Sequence, residues 1–364
     1  EDILKTKILK IAETFSKLGI FGCEPESAEK AYERFDILRS PVRNCRARCR
    51  FAVGKVDGML HYLLYESGAA TLIADDFPEA CEGIYRIMMP CLNAISENFT
   101  LSDGLKAIHF LGTLRGNPEE IVVTLIYETP LPSEWQEQGQ WLRSKLMGAQ
   151  VIGRSKGKSI VLERDFVEEV LPLPDARFLS LRHIEGSFSN PNPTVNAAAL
   201  GWLCERADEI AAFKASAAAG ESQEHNLLEM YCGGGNHTCG LSARFKRVVA
   251  VERDSRLCAA AEHNLAANGI TNARVFACPS ERFCSAVLRQ RQVKMNDLRH
   301  IPGDQGHTSS ELWQGDWIDF DCVLVDPPRA GLDDSVRRMV GNFDHILYVS
   351  CCPDNLVRDM ESWK

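Results

Sequence analysis

Asn226-Leu227-Leu228-Glu229-Met230-Tyr231-Cys232-Gly233-Gly234-Gly235-Asn236 is the stretch that decides the fold. Its first six residues read as a short strand. The glycines that follow let backbone approach a ligand closely, as in the first strand–loop–helix unit of a doubly wound sheet. The pattern then repeats. Val248-Val249-Ala250-Val251 is apolar throughout and ends in Glu252, 17 residues beyond Gly235. Further strands are expected at 273–277, 320–325 and 345–350, with helices between them. From about residue 190 the chain therefore reads as a parallel α/β sheet.

In such sheets ligands bind outside the carboxyl ends of the strands. Two of these tips carry chemistry. Val323-Leu324-Val325 leads into Asp326-Pro327-Pro328-Arg329, and Ile346-Leu347-Tyr348-Val349, read as a short buried strand, leads into Ser350-Cys351-Cys352-Pro353. A carboxylate and a thiol are thus expected at one crevice. The competing readings are ordinary ones: a packed strand cysteine for Cys351, and a cap on the following helix for Asp326. Cys232 reads as packing.

The first half has a different pattern. Residues 1–18 show helical periodicity. Hairpin-like pairs follow: 45–53 with 59–66 across Asp57-Gly58, 106–114 with 119–127 across Gly116-Asn117, and 149–154 with 158–163 across Lys156-Gly157. Helices are expected near 77–97, 134–147 and 194–214, and an Ala/Ser/Gly-rich loop at 215–222. Two domains are expected, an α+β domain over 1–185 and the parallel sheet over 186–364. The polar stretch 291–317 reads as a surface insertion.

At 364 residues and 45% hydrophobic content the chain can bury a substantial core. No apolar run approaches the ~20 residues of a membrane span, and no signal-peptide pattern opens the sequence. Glu1 stands where an initiator Met would be, so a trimmed start is expected. Fourteen scattered cysteines fit reduced thiols in a cytoplasmic protein. Cys45 and Cys49 lack a second pair at zinc spacing, so no metal site is expected. The net charge of −9 speaks against nucleic acid only when taken globally. Arg34, Arg39, Arg43, Arg46, Arg48 and Arg50 fall within 17 residues against Asp36 alone. On a strand, Arg46, Arg48 and Arg50 would share one face and could contact successive phosphates. A solvated strand face is the alternative.

The cofactor reading starts from Glu252, a carboxylate placed to accept ribose hydroxyls. NAD remains open, but the Gly-x-Gly-x-x-Gly spacing is absent, because Thr238 occupies the last position. S-adenosylmethionine (SAM) fits better, since no pyrophosphate needs cradling. In amino-methyltransferases of this fold an aromatic residue usually follows the two prolines. Here it is Arg329, which points to a carbon that needs activation by a nucleophile. Thiolate addition at C6 of a uracil makes C5 reactive toward a methyl sulfonium, and a base must then remove the C5 proton. A free thiol of pKa ~8.5 is about 3% ionised at neutral pH, so thiol activation is a minor part of an acceleration of at least ~10⁶-fold.

With these residues in place the chain resembles the tRNA (uracil-5-)-methyltransferases of bacterial type. The matching stretches are Arg39-Ser40-Pro41-Val42, Arg46-Ala47-Arg48, Ile152-Gly153-Arg154, Ser187-Phe188, Pro191-Asn192, Leu228 to Asn236, Asp326 to Leu332 and Ser350-Cys351. The resemblance implies a Rossmann-like SAM-dependent methyltransferase domain preceded by an α+β RNA-binding domain. It implies an activity that makes 5-methyluridine at position 54 in the T-arm of tRNA; a monomer is expected. It casts Cys351 as nucleophile and places Asn190, Tyr231, Gly233, Asn236, Glu252 and Asp326 at the cofactor. Arg46, Arg48, Arg50 and Arg329 are the expected RNA contacts. Ribosomal-RNA relatives usually carry an iron–sulfur cysteine cluster, which is not visible here.

Three departures matter. The family's Gln-Pro-Asn is Asn190-Pro191-Asn192, and its Ser-Cys-Asn-Pro is Ser350-Cys351-Cys352-Pro353. The family's basic Glu follows the helix after the nucleophile, so it is expected beyond Lys364, together with the last strands of the sheet. A chain ending at Lys364 is then expected to turn over poorly or to stall as a covalent RNA adduct. The alternatives are a non-catalytic tRNA-binding or tRNA-folding module, a uridine C5-methyltransferase of ribosomal RNA, and an NAD-dependent dehydrogenase.

Overall fold

The computed structural model describes residues 2–17, 30, 32–66, 69–115, 117, 120–217, 225–298, 313 and 316–363. The chain forms two compact units, Arg39–Trp202 and Glu1–Leu38 with Leu203–Lys364. This differs from a division at 185 at both ends. The first helix, Asp2–Lys17, packs against the last, Pro353–Glu361, and so joins the second unit.

The unit Arg39–Trp202 is built on a seven-stranded sheet. Its strands are β1 (Arg48–Val56), β2 (Met59–Glu66), β3 (Ala69–Ile73), β4 (Leu105–Leu111), β5 (Val122–Tyr127), β6 (Gln150–Ser155) and β7 (Lys158–Val161), in the order β3-β2-β1-β4-β5-β6-β7. Asp57 and Gly58, both at positive φ, close the β1–β2 hairpin in the twist that flanking strands prefer. All neighbours are antiparallel except β5 and β6. That pair needs a crossover, which the helix Trp135–Lys145 supplies. Trp135 is fully buried, and a Cβ on Gly153 of β6 would stand 2.5 Å from its ring. Phe51, Tyr62, Ile84, Met88 and Phe110 fill the core between the sheet and the helix Glu82–Ser96.

A further hairpin, β8 (Phe166–Pro172) with β9 (Phe178–Ile184), was not expected from the sequence. It buries Val167 against Leu111, Val122 and Ile152. It also buries Glu169, which accepts from the Leu114 N–H at 2.7 Å and is pushed up to about 7 by burial.

The unit containing Leu203–Lys364 carries five parallel strands: β10 (Asn226–Met230), β11 (Arg247–Glu252), β12 (Ala273–Ala277), β16 (Cys322–Val325) and β17 (His345–Tyr348). Their order is β12-β11-β10-β16-β17, the doubly wound arrangement expected. β10, β11 and β16 are buried along their whole length, as strands covered on both faces must be. β17 differs from the expected buried strand. Only Leu347 is buried, because β17 is the last strand on its side among the described residues.

Between β12 and β16 lies a small antiparallel sheet of β13 (Leu288–Arg289), β14 (Gln292–Lys294) and β15 (Trp317–Asp319). Of this sheet, β14 and the first residue of β15 fall within the stretch read as an insertion. Residues 299–312 and 314–315 of that stretch, and 218–222 of the expected loop, lie outside the described residues. No helix among the described residues is long and apolar enough to cross a membrane.

Candidate active site

Parallel register sets the site. Val325 pairs with Tyr348 across β16 and β17, and the Val349 N–H donates to the Val325 carbonyl at 2.9 Å. Asp326 and the Ser350-Cys351 turn therefore leave the sheet side by side. β10 lies between β11 and β16, so Tyr231, Glu252 and Asp326 also emerge at the carboxyl edge. The structure brings Tyr231, Gly233, Asn236, Glu252, Asp326 and Cys351 to that one edge.

Cys351 is the sole exposed cysteine among those described. Ser350 forms a closed turn around it: the Ser350 Oγ donates to the Cys352 carbonyl at 2.9 Å and accepts from the Cys352 N–H at 3.1 Å. Asn355 Nδ2, one turn into the following helix, donates to Cys352 Sγ at 3.3 Å. The second thiol is thus engaged with the helix while the first faces outward. By contrast, burial pushes the thiols of Cys258 and Cys284 up to about 12. Cys232 is buried and its thiol is likewise raised by burial, which fits packing.

The loop after β10 is shaped by its backbone. Tyr231, Gly233 and Gly235 all have positive φ, at 62°, 55° and 76°. For a tyrosine this conformation costs about 1–3 kcal/mol. It turns the ring so that its hydroxyl donates to Asp333 Oδ2 at 3.1 Å. A Cβ on Gly233 would meet nothing within 4 Å, whereas one on Gly235 would stand 3.0 Å from the Ala261 Cβ. Gly235 is therefore needed for close packing, and Gly233 faces open space. Asn236 begins the short helix Asn236–Leu241.

Glu252 is buried and does more than was expected. Oε2 accepts from the Gly233 N–H at 3.1 Å, and Oε1 accepts from the N–H groups of Arg253 and Asp254 at 2.7 and 2.8 Å. A carboxylate offers about four lone-pair sites. Three are taken by these N–H groups.

Asp326 receives no hydrogen bond from the described residues, and burial raises its carboxyl to about 6. It does not cap the next helix, Asp334–Val340. Asp333 does, accepting from the N–H groups of Ser335 and Val336. Burial acts to raise Asp333, but hydrogen bonds from Ser335, Val336 and Tyr231 bring it below the usual carboxylate range.

One carboxylate was missed entirely. Glu229 lies fully buried within β10. Oε2 accepts from Thr238 Oγ1 at 2.6 Å, while Oε1, 3.9 Å from His237 Nδ1, receives no hydrogen bond. Its register opposite Leu324 puts it on the same sheet face as Asp326. Burial pushes it up to about 8, with Asp326 adding to the rise. A lone Glu between apolar strand residues was the available signal.

The expected RNA contacts divide between the two units. Arg329 is exposed beside Asp326. The row of three free guanidinium groups does not form. Arg46 precedes β1, where it makes an isolated bridge with Ala80 and its Nε donates to the Arg48 carbonyl at 3.3 Å. Arg48 turns inward and donates to the carbonyls of Ser187 and Ser189. Burial, then Arg50, lowers it to about 10. Arg46 and Arg50 remain exposed. Asn190, in the same unit, is exposed, and its Oδ1 accepts from the Asn192 N–H at 3.0 Å. Among the described residues no cluster of His, Cys, Asp and Glu could hold a metal ion.

A family model described as tRNA (Uracil-5-)-methyltransferase matches residues 26–364. A tRNA/tmRNA (uracil-C(5))-methyltransferase of Neisseria meningitidis serogroup C is 34% identical over 333 residues, covering 90% of this chain and 83% of that protein. One of the same description from a Nitratiruptor species is 33% identical over 355 residues, covering 98% and 86%. Among solved structures, the Pyrococcus abyssi tRNA (uracil-54, C5)-methyltransferase in complex with S-adenosyl-L-homocysteine shares the fold. Its TM-score is 0.56 at 17% identity, covering 88% of this chain and 70% of that one. On the match over residues 26–364 and the identity to these relatives, this chain belongs to the tRNA (uracil-5-)-methyltransferase family.

Proposed function

We propose that the protein methylates C5 of a uridine in tRNA, at position 54 of the T-loop, with SAM as methyl donor and Cys351 as nucleophile. The observation that carries this reading is the placement of the one thiol exposed among the described residues next to the strand tip of Asp326, whose carboxylate receives no hydrogen bond from the described residues. The residues fit the cofactor. A half-buried carboxylate that takes no hydrogen bond from the described residues suits a cationic ligand, and the open face of Gly233 admits close backbone approach. SAM, when bound, supplies an electrophilic methyl group. Tyr231, Gly233, Asn236, Glu252 and Asp326 line its side of the edge.

The thiolate of Cys351 adds to C6, forming a C–S bond and moving the electron pair onto C5–C4–O4. C5 can then take the methyl group. Loss of the C5 proton to a base re-forms the double bond and expels the thiolate, so the thiol is regenerated. No described carboxylate is assigned to that proton. Arg46, Arg50 and Arg329 are exposed cations suited to phosphate contacts.

The test uses an unmodified tRNA transcript and SAM carrying a labelled methyl group. Label should enter the transcript as 5-methyluridine, or remain on a protein–RNA adduct, and should vanish with a U54→C transcript. Label transfer that ignores position 54 would overturn the assigned uridine. No transfer at all would overturn the activity.

A further inference from the structure

We propose that Asp359 is a positioning residue that locks the loop after Asp326 to the strand and helix flanking Cys351. This inference rests on the uridine-methylating reading above. Asp359 lies in the helix Pro353–Glu361, which begins directly after Cys352, and its side chain is fully buried. Burying a carboxylate is costly unless its lone pairs are filled, and here they are filled from three directions. Oδ2 accepts from the Leu332 N–H at 2.9 Å and the Tyr348 hydroxyl at 2.7 Å. Oδ1 accepts from Arg358 Nη2 at 2.7 Å and Arg337 Nη1 at 3.5 Å.

Those donors flank both chemical tips. Leu332 ends the loop that starts at Asp326, and Tyr348 ends β17 three residues before Cys351. The same helix grips the same loop twice more. Arg358 Nη2 donates to the Ala330 carbonyl at 3.0 Å, and Asn355 Nδ2 to the Arg329 carbonyl at 2.5 Å. The loop is shaped for this approach. Gly331 has φ +79°, and a Cβ there would collide with Arg358 Nη2 and stand 2.9 Å from Asp359 Oδ2. Burial and the bond to Asp359 raise the Tyr348 hydroxyl, so it stays a donor across the working range. One buried carboxylate thus sets the spacing between the thiol-bearing turn and the cofactor-side loop. Misplacing reacting groups by ~1 Å can cost about 10²-fold in rate.

The test measures single-turnover adduct formation with T-arm RNA carrying 5-fluorouridine at the target position, at saturating SAM. With fluorine in place of hydrogen at C5 there is no proton for a base to remove and fluorine cannot leave as F⁺, so the methylated adduct accumulates and the final elimination is not read. Asp359→Asn should slow adduct formation by at least about 10-fold, and Tyr348→Phe by about 3-fold or more, at unchanged end point. S-adenosylhomocysteine and RNA affinities should stay within about twofold, which separates positioning from general damage. Adduct rates equal to those of the unmutated chain would overturn the proposal. So would a rate loss matched by an equal loss of S-adenosylhomocysteine affinity. Should Asp359→Asn not fold, Tyr348→Phe decides alone, since it removes a single O–H. Failure of the unmutated chain to form any adduct would overturn the uridine reading itself, and this inference with it.

Discussion

The Gly233 N–H donates to Glu252 Oε2 at 3.1 Å, tying the loop after β10 to the tip of β11. The same carboxylate holds the N–H groups of Arg253 and Asp254. Glu252→Gln would turn an amide nitrogen toward N–H donors and leave at least one of them unpaired. S-adenosylhomocysteine affinity, measured by calorimetry, should fall by about 10-fold or more, since unmade bonds to a charged group are worth ~1.5–3 kcal/mol. Unchanged affinity would show that the loop is held by other means.

Asp326 gives a pH dependence of binding. Burial raises its carboxyl to about 6, so it is ionised above that pH and protonated below it. A cationic cofactor needs the ionised form. Affinity for SAM should therefore weaken as pH falls through 6. Asp326→Asn should bind weakly and without that dependence between pH 5 and pH 7.5. A wild-type profile in the variant would remove Asp326 from the cofactor site.

Glu229 gives a pH dependence of stability. Its folded value of about 8 lies above its ordinary value of 4.5, so between those values the folded state binds more protons than the unfolded one. Stability must then decline as pH rises through that window. Glu229→Gln removes the decline, and its gain in Tm over the parent chain should grow from pH 5 to pH 8.5. A pH-independent difference in Tm would mean that Glu229 is ionised throughout.

Arg48 and Arg50 should behave differently. Arg48 is engaged by the Ser187 and Ser189 carbonyls, so Arg48→Ala should lower Tm through unpaired buried groups. Arg50 is exposed, and Arg50→Ala should leave Tm alone. If it contacts a phosphate, tRNA affinity falls and the salt slope of binding drops by about 1. Equal effects of the two substitutions on both measurements would contradict this division.

The parallel sheet was legible because β10, β11 and β16 are covered on both faces and so read as short, largely apolar runs, interrupted in β10 by Glu229. The glycine turn and both chemical tips followed from that sheet. The β8–β9 hairpin was not legible. Glu168 and Glu169 interrupt β8, and only a long-range partner, the Leu114 N–H, explains why Glu169 is buried. The arginine alternation holds in the burial of residues 45–50, but the spacing could not show that Arg48 is engaged, since its partners are distant in sequence. Asp359 sits in a helix rich in Asp, Asn, Arg and Glu, where nothing local marks one carboxylate as the buried one. Period and spacing reveal elements. They do not reveal which polar residue a fold turns inward.

The central claim is that the Cys351 thiol adds to a uridine held at this edge. Mass spectrometry of peptides after incubation with SAM and 5-fluorouridine T-arm RNA tests it most directly. The account predicts one peptide, containing Cys351, that carries a methylated 5-fluorouridine, and predicts its loss in Cys351→Ala with tRNA binding retained. An adduct on any other residue, or one that survives Cys351→Ala, would contradict it.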